Sequence, residues 1–238
     1  MSLVELIVSM LIFTVVIAAT AQLAIGFERS SVETINRQDQ IDDARFSVEA
    51  MSTTLRTAVM PNQLTTTCTQ CLQDAFVEGS DYVVQFYANY KNPGNSVGPS
   101  RVTYRLSRTG ADAGALTELI QRPNSNVPST TGYVYCDAEA INAPESCRSK
   151  LTKRVVGRDV LDTTGAPIFT YFDGNGNLLD PGTGSLDANE LSRVVVIELR
   201  VTTQSGEGAK AQPTTYIQRI TLPNAQAVLR QDSSESES

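Results

Sequence analysis

The chain divides by pattern before any residue is given a role. Twenty of the first 27 residues are apolar, whereas further on apolar positions recur at the periods of a domain with a polar surface. Residues 6–27 form a run of 22 without charge or proline. As a helix this run spans about 33 Å, close to the thickness of a bilayer's hydrocarbon core. No basic residue precedes Leu6, and the apolar run exceeds that of a cleavable secretory signal. The pattern therefore predicts a membrane-crossing helix over 1–27. Helical periodicity then continues: Ile41, Ala44, Val48, Met51, Leu55 and Ala58 lie 3-4-3-4-3 apart on one face, and Pro61 supplies a stop. The helix is expected to reach about Val59, with 28–60 packed against a globular head.

After Pro61 the pattern becomes that of strands. Residues 82–90, 101–106 and 115–121 read as strands, the second alternating strictly, and 167–172, 193–203 and 214–222 continue the series. Gly, Pro, Asn and Ser cluster between them, as in an antiparallel meander with long connections, and no βαβ alternation occurs. An apolar helix face followed by half-buried strands predicts an α+β fold, a long N-terminal helix packed on an antiparallel β-sheet head. The expected organisation is a helix over 1–60, a β-rich head over 61–230 and an acidic tail over 231–238. The tail has no apolar residue and is expected to be exposed and disordered.

Composition narrows the function. The formal charge is −7, the wrong sign for general nucleic-acid binding through phosphate neutralisation. With no histidine in the chain, Ser-His-Asp and Cys-His nucleophiles and His-ligated zinc are excluded. No other acid or nucleophile constellation stands out, so the expectation is a protein that is not an enzyme.

Two groups of residues invite chemical roles. Cys68 and Cys71 form Cys-x-x-Cys, and Cys136 and Cys147 lie 11 apart; four cysteines allow three pairings, of which the local one is expected. Each bridge would stabilise by about 2–4 kcal/mol. Zinc held by four thiolates is the metal alternative, although the second pair lacks Cys-x-x-Cys spacing. A thioredoxin-like site would need Cys68 at a helix start, where 64–67 reads as a loop. In the segment 173–180, Asp173, Asn175, Asn177 and Asp180 offer oxygen donors for calcium. It departs from a calcium loop at position six, Leu178, and position twelve, Gly184, and turn chemistry accounts for its Asn-Gly and Asp-Gly steps equally well.

The first residues carry the sharpest signal. Ser2 and Glu5 have the Ser-x-x-Glu spacing with which a helix start satisfies its own N–H groups. Glu5 also stands at the edge of a hydrophobic span, where a carboxylate is costly and usually has a partner or a task. The run Met1-Ser2-Leu3-Val4-Glu5-Leu6-Ile7-Val8-Ser9-Met10-Leu11-Ile12-Phe13 resembles the mature N-terminus of type IV pilins and of the pseudopilins of type II secretion. That resemblance implies cleavage by a prepilin peptidase, N-methylation of Met1 in the place usually held by Phe, and Glu5 as the residue that guides assembly. It also implies that the sequence is the processed form. More loosely, residues 46–60, 168–173 and 191–202 resemble the larger J-type minor pseudopilins. Gln22 stands where many major pilins have proline.

A rod of this kind must stay in lipid or pack against copies of itself. In a staggered bundle Glu5 of an incoming subunit would meet the terminal amine of its neighbour, so that charge pairing sets the registry. The expected function is thus a structural pilin-like subunit, first a single-pass protein of the inner membrane and then part of a type IV pilus-like filament on the cell surface. Its implied partners are copies of itself, other pilins, prepilin peptidase and the pilus assembly machinery. The alternative is a minor subunit at a filament tip, acting in initiation, secretion, DNA uptake or adhesion.

Overall fold

A computed structural model describes residues 3–64, 74–92, 94, 96–163, 165–204 and 212–223. Helix α1 runs unbroken through Leu3–Leu55. Its two ends live in different surroundings. Every described residue before Gln40 is exposed, whereas Gln40, Ala44, Ser47, Val48, Met51, Ser52, Thr54 and Leu55 are buried. The apolar stripe is therefore as its spacing predicts from Ala44 onward. It differs at its start, because Ile41 is 40% exposed and Gln40 takes the inward position. That burial is tolerable because Gln40 is bonded: its carbonyl accepts from Thr203 Oγ1 at 3.0 Å and its Oε1 from Thr214 Oγ1 at 3.3 Å.

The helix ends four residues before the expected Val59. Thr57 and Ala58 donate to Thr54 and Leu55 in a tightened last turn, and the chain then pairs with a strand: Val59 N donates to Tyr87 O and Asn89 N to Thr57 O. Sheet pairing, not Pro61, decides where α1 stops, and Pro61–Leu64 forms a short 3₁₀ turn.

Among the described residues nine strands follow in two antiparallel sheets, in place of one continuous meander. The first contains β1 (Phe76–Gly79), β2 (Val83–Ala88), β3 (Ser100–Leu106), β4 (Leu116–Gln121) and β5 (Leu151–Gly157), in chain order. The second has the order β7-β6-β8-β9, from β6 (Phe169–Phe172), β7 (Leu178–Leu179), β8 (Val196–Thr203) and β9 (Thr214–Thr221). Two short helices, α2 (Glu145–Arg148) and α3 (Ala188–Ser192), lie in the connections. Residues 193–195, expected to begin a strand, instead leave α3, whose start is fixed by a reciprocal cap between Asp187 and Glu190. Backbone bonds join the sheets: Ile168 N donates to Asp81 O, Leu186 N to Gly79 O and Leu161 N to Thr202 O.

One core serves α1 and both sheets. Val48, Met51 and Leu55 meet Phe86, Val102 and Tyr104 of the first sheet and Phe169, Tyr171, Ile197 and Leu199 of the second in a single apolar cluster. Strands β3 and β8 bury alternate residues, as the period-2 pattern requires. Strand β4 is buried on both faces because the segment between β4 and β5 folds back over the first sheet. There Gln121 Nε2 donates to Cys136 O, Arg105 pairs with Glu139 at 2.7 Å, and the rings of Tyr87 and Tyr135 stack with centroids 5.7 Å apart.

Helix α1 approaches the first sheet closely at Gly157. Ser47 Oγ donates to Val156 O at 2.9 Å, and a Cβ built on Gly157 would lie 2.7 Å from that Oγ. Gly157→Ala is therefore expected to destabilise the head by about 1–3 kcal/mol through overpacking. In a Ser47→Ala background, which itself forfeits about 1 kcal/mol of hydrogen bonding, the same change should cost less than half as much. Urea unfolding of the full chain in detergent, followed by tyrosine fluorescence because the chain has no Trp, measures the cycle.

Candidate functional site

The most exposed feature is the apolar rod formed by the first half of α1. Leu3 and Phe27 are each 77% exposed, and the large apolar side chains between them are half exposed or more. Fully burying one such side chain gains about 1.5–3 kcal/mol, so leaving the rod in water would forgo roughly tens of kcal/mol, more than the 5–15 kcal/mol stability of a typical domain. By length and composition the rod can cross a membrane.

The rod's hydroxyl side chains are adapted to such surroundings. Ser9 Oγ donates to Glu5 O at 2.8 Å, Thr14 Oγ1 to Met10 O at 2.8 Å and Thr20 Oγ1 to Ile17 O at 3.0 Å. Each hydroxyl is thus satisfied within its own helix and demands nothing of lipid or neighbour. Glu5 lies in the first turn of α1 and is the acidic residue there, where the helix dipole favours a negative charge. Met1 and Ser2 precede the described residues, as the acidic tail 231–238 follows them.

The head contains the other sites expected from the sequence. Cys136 and Cys147 form a disulfide with Cα atoms 6.0 Å apart, as local pairing requires, which fastens the segment lying over the first sheet to α2. Cys68 and Cys71 lie outside the described residues. In the calcium candidate, Asp173 is 4% exposed and its two oxygens accept four hydrogen bonds. Oδ1 takes the backbone N–H groups of Asn175 and Asn177, while Oδ2 takes Asn177 Nδ2 and, at 2.9 Å, the Arg193 guanidinium. These bonds fill the acceptor capacity of the carboxylate, and Arg193 already provides the countercharge. Asp180 is turned to another task, accepting from Gly182 N at 2.9 Å. Among the described residues no group of three or more acidic, Cys or His side chains is placed to hold a metal ion. Asp173 is thus the organiser of the β6–β7 turn, in which Gly176 adopts φ +82°.

Sequence reasoning missed a third site. The face of the first sheet on which α1 lies continues beyond the helix end, and there it becomes polar. Glu118, opposite Tyr104 on β3 and Arg154 on β5, is fully buried. Its carboxylate accepts from Tyr104 Oη, from Thr54 Oγ1 of α1 and from two nitrogens of Arg154. Burial, then the adjacent carboxylate, pushes the Tyr104 hydroxyl far above the ordinary tyrosine range, so it remains a donor. Next to this group opens a cleft of about 210 Å³ bordered by Tyr90, Lys91, Ile120, Arg122 and Arg154. The signal available in the sequence was Glu118 at an inward position of a strand, together with cations at 122 and 154 separated by a long loop.

The hydrogen bonds of Asn177 and the Arg193 ion pair hold the Asp173 carboxyl at about 2, below the usual carboxylate range. A depressed pKa contributes stability above the unfolded value, near 4, which is lost as pH falls through 2. Asp173→Asn is expected to lower the urea midpoint at pH 6, with the difference from the parent chain closing between about pH 4 and pH 2. Denaturation midpoints measured across that range check the sign.

Comparison with known proteins finds no matching family model, no similar curated protein and no similar solved structure.

Proposed function

We propose that the chain is a pilin-like structural subunit that polymerises through the exposed half of α1. The observation that carries this reading is the continuity of one helix from an uncovered apolar rod into the head's core, together with Glu5 in the rod's first turn. A plain anchor needs the rod alone. A filament subunit needs the rod joined rigidly to the head, so that packing of rods places heads at fixed intervals, and it needs a registry device. The pilin-like N-terminal run supports both requirements. In this reading the rod is held in the inner membrane before assembly, Met1 is the processed and methylated end, and Glu5 pairs with the terminal amine of a neighbouring copy in the filament.

The energetics agree with exchange of one apolar setting for another. Moving a rod from lipid to a bundle of rods involves little hydrophobic gain, because lipid tails are as apolar as Leu, so packing and charge pairing must select the register. A carboxylate left unpaired in a water-excluded bundle is strongly unfavourable, whereas a paired one is tolerated.

Glu5→Ala is expected to reduce incorporation into filaments by at least about tenfold, equivalent to 1.4 kcal/mol or more per subunit. The Cys136–Cys147 disulfide should still form and resist reduction as in the parent chain. Quantitative mass spectrometry of sheared surface filaments, alongside membrane-fraction abundance, measures the effect; unchanged incorporation would refute charge registry.

A further inference from the structure

The cleft at the end of α1 has a charge out of keeping with the acidic chain around it. Three cations, Lys91, Arg122 and Arg154, and one carboxylate, Glu118, border it. The Glu118 carboxylate is consumed internally: Arg154, Tyr104 and Thr54 all donate to it. Arg154 therefore answers Glu118. Lys91 and Arg122 remain, with no carboxylate among the described lining residues to answer them. A concave surface lined by one sign of charge focuses its field outward and draws in counter-ions.

Lys91 and its neighbour Asn92 have defined backbone and side-chain roles. Lys91 adopts φ +49°, a left-handed conformation that costs energy for a residue with a Cβ. Next to it Asn92 is buried and acts as a clamp: its Oδ1 accepts from Val97 N at 3.0 Å and its Nδ2 donates to Gly98 O at 2.9 Å. Arg122, which follows β4, donates to Ser149 O at 3.2 Å, at the C-terminal end of α2. The lining also includes Tyr90, over whose ring Lys91 Nζ lies 5.2 Å from the centroid, together with Ile120, Ser100 and Thr152. An aromatic and an aliphatic surface beside hydroxyl groups and fixed cations suits a compact ligand with an apolar edge, several hydroxyls and one anionic group.

We propose that this cleft binds an acidic sugar unit, with Lys91 and Arg122 facing its anionic group. The shared chemistry is an oxyanion on a sugar ring, supplied either by the carboxylate of a uronic acid or by a sugar phosphate. The site lies on the head, away from the rod, and does not depend on the filament reading: a head that never polymerises would bind the same ligand.

The test is calorimetric titration of the full chain in a neutral detergent with galacturonate, glucose 6-phosphate, inorganic phosphate and uncharged galactose. The expected result is saturable binding of at least one of the two sugar acids, with a dissociation constant on the order of 1 mM, and weaker binding of galactose and of inorganic phosphate. Whichever acid binds more tightly identifies the source. The exposed pair Lys91→Gln and Arg122→Gln should together weaken that binding about tenfold or more, with the urea midpoint unchanged. Lys91→Gln alone, which leaves the Arg122–Ser149 bond intact, should weaken it in the same direction. No saturable binding of either acid would overturn the proposal. So would binding that survives both substitutions, or inorganic phosphate binding as tightly as the sugar acids.

Discussion

One continuous helix has to satisfy two environments, and most of the structure follows from that constraint. Over its first half the helix presents apolar side chains in every direction, which suits lipid or a bundle of like helices but not water. Over its second half it shows a single buried face and a polar remainder, the pattern of a helix laid on a sheet. No loop or glycine-rich joint interrupts it between Leu3 and Leu55. Whatever fixes the rod therefore fixes the head, and the head's core in turn fixes the axis along which the rod projects.

The head secures α1 by apolar packing and by a few bonds that need close approach. Ser47 reaches Val156 because Gly157 has no side chain, and the buried Gln40 is answered by Thr203 at its backbone carbonyl and by Thr214 at its side chain. At the far end Thr54 touches the buried Glu118, whose charge is met by Arg154. Breaking such a pair by removing one partner costs far more than the pair itself contributes. The polar group and the neighbouring cleft arise from the same cause: the sheet is longer than the helix segment that covers it. Where the chain leaves α1 to pair with β2, the uncovered sheet face is lined by residues that tolerate water.

Much of this was legible from periodicity. The two-part helix, the stripe from Ala44 to Leu55 and six of the strands follow from spacings of 3.6 and 2, and the Cys136–Cys147 bridge from proximity along the chain. What escaped had physical reasons. β1 has four residues and β7 two, too short for a period to show, and β5 exposes four successive residues because it lies at a sheet edge. The inward turn of Gln40 could not be read where Ile41 offered a more apolar choice, since its partners are more than 160 residues away. The donors at 173–180 read as ligands or as turn residues alike, because a turn and a cation loop use the same residue types, and the bond from Arg193, twenty positions on, is made only by the fold. Glu118 stood at an inward strand position, but its partners could not be read, because Tyr104 and Arg154 reach it only through sheet register.

The central claim is that rods from different copies lie side by side in the assembled state. Photocrosslinking in intact filaments tests it most directly, with a benzophenone amino acid placed singly at Leu11 or Ile17, both exposed on the isolated chain. The account predicts covalent ladders of this chain from both positions in filaments, and monomer alone from the dispersed membrane pool. Filaments that carry the chain yet give crosslinks only to lipid, or none, would contradict it.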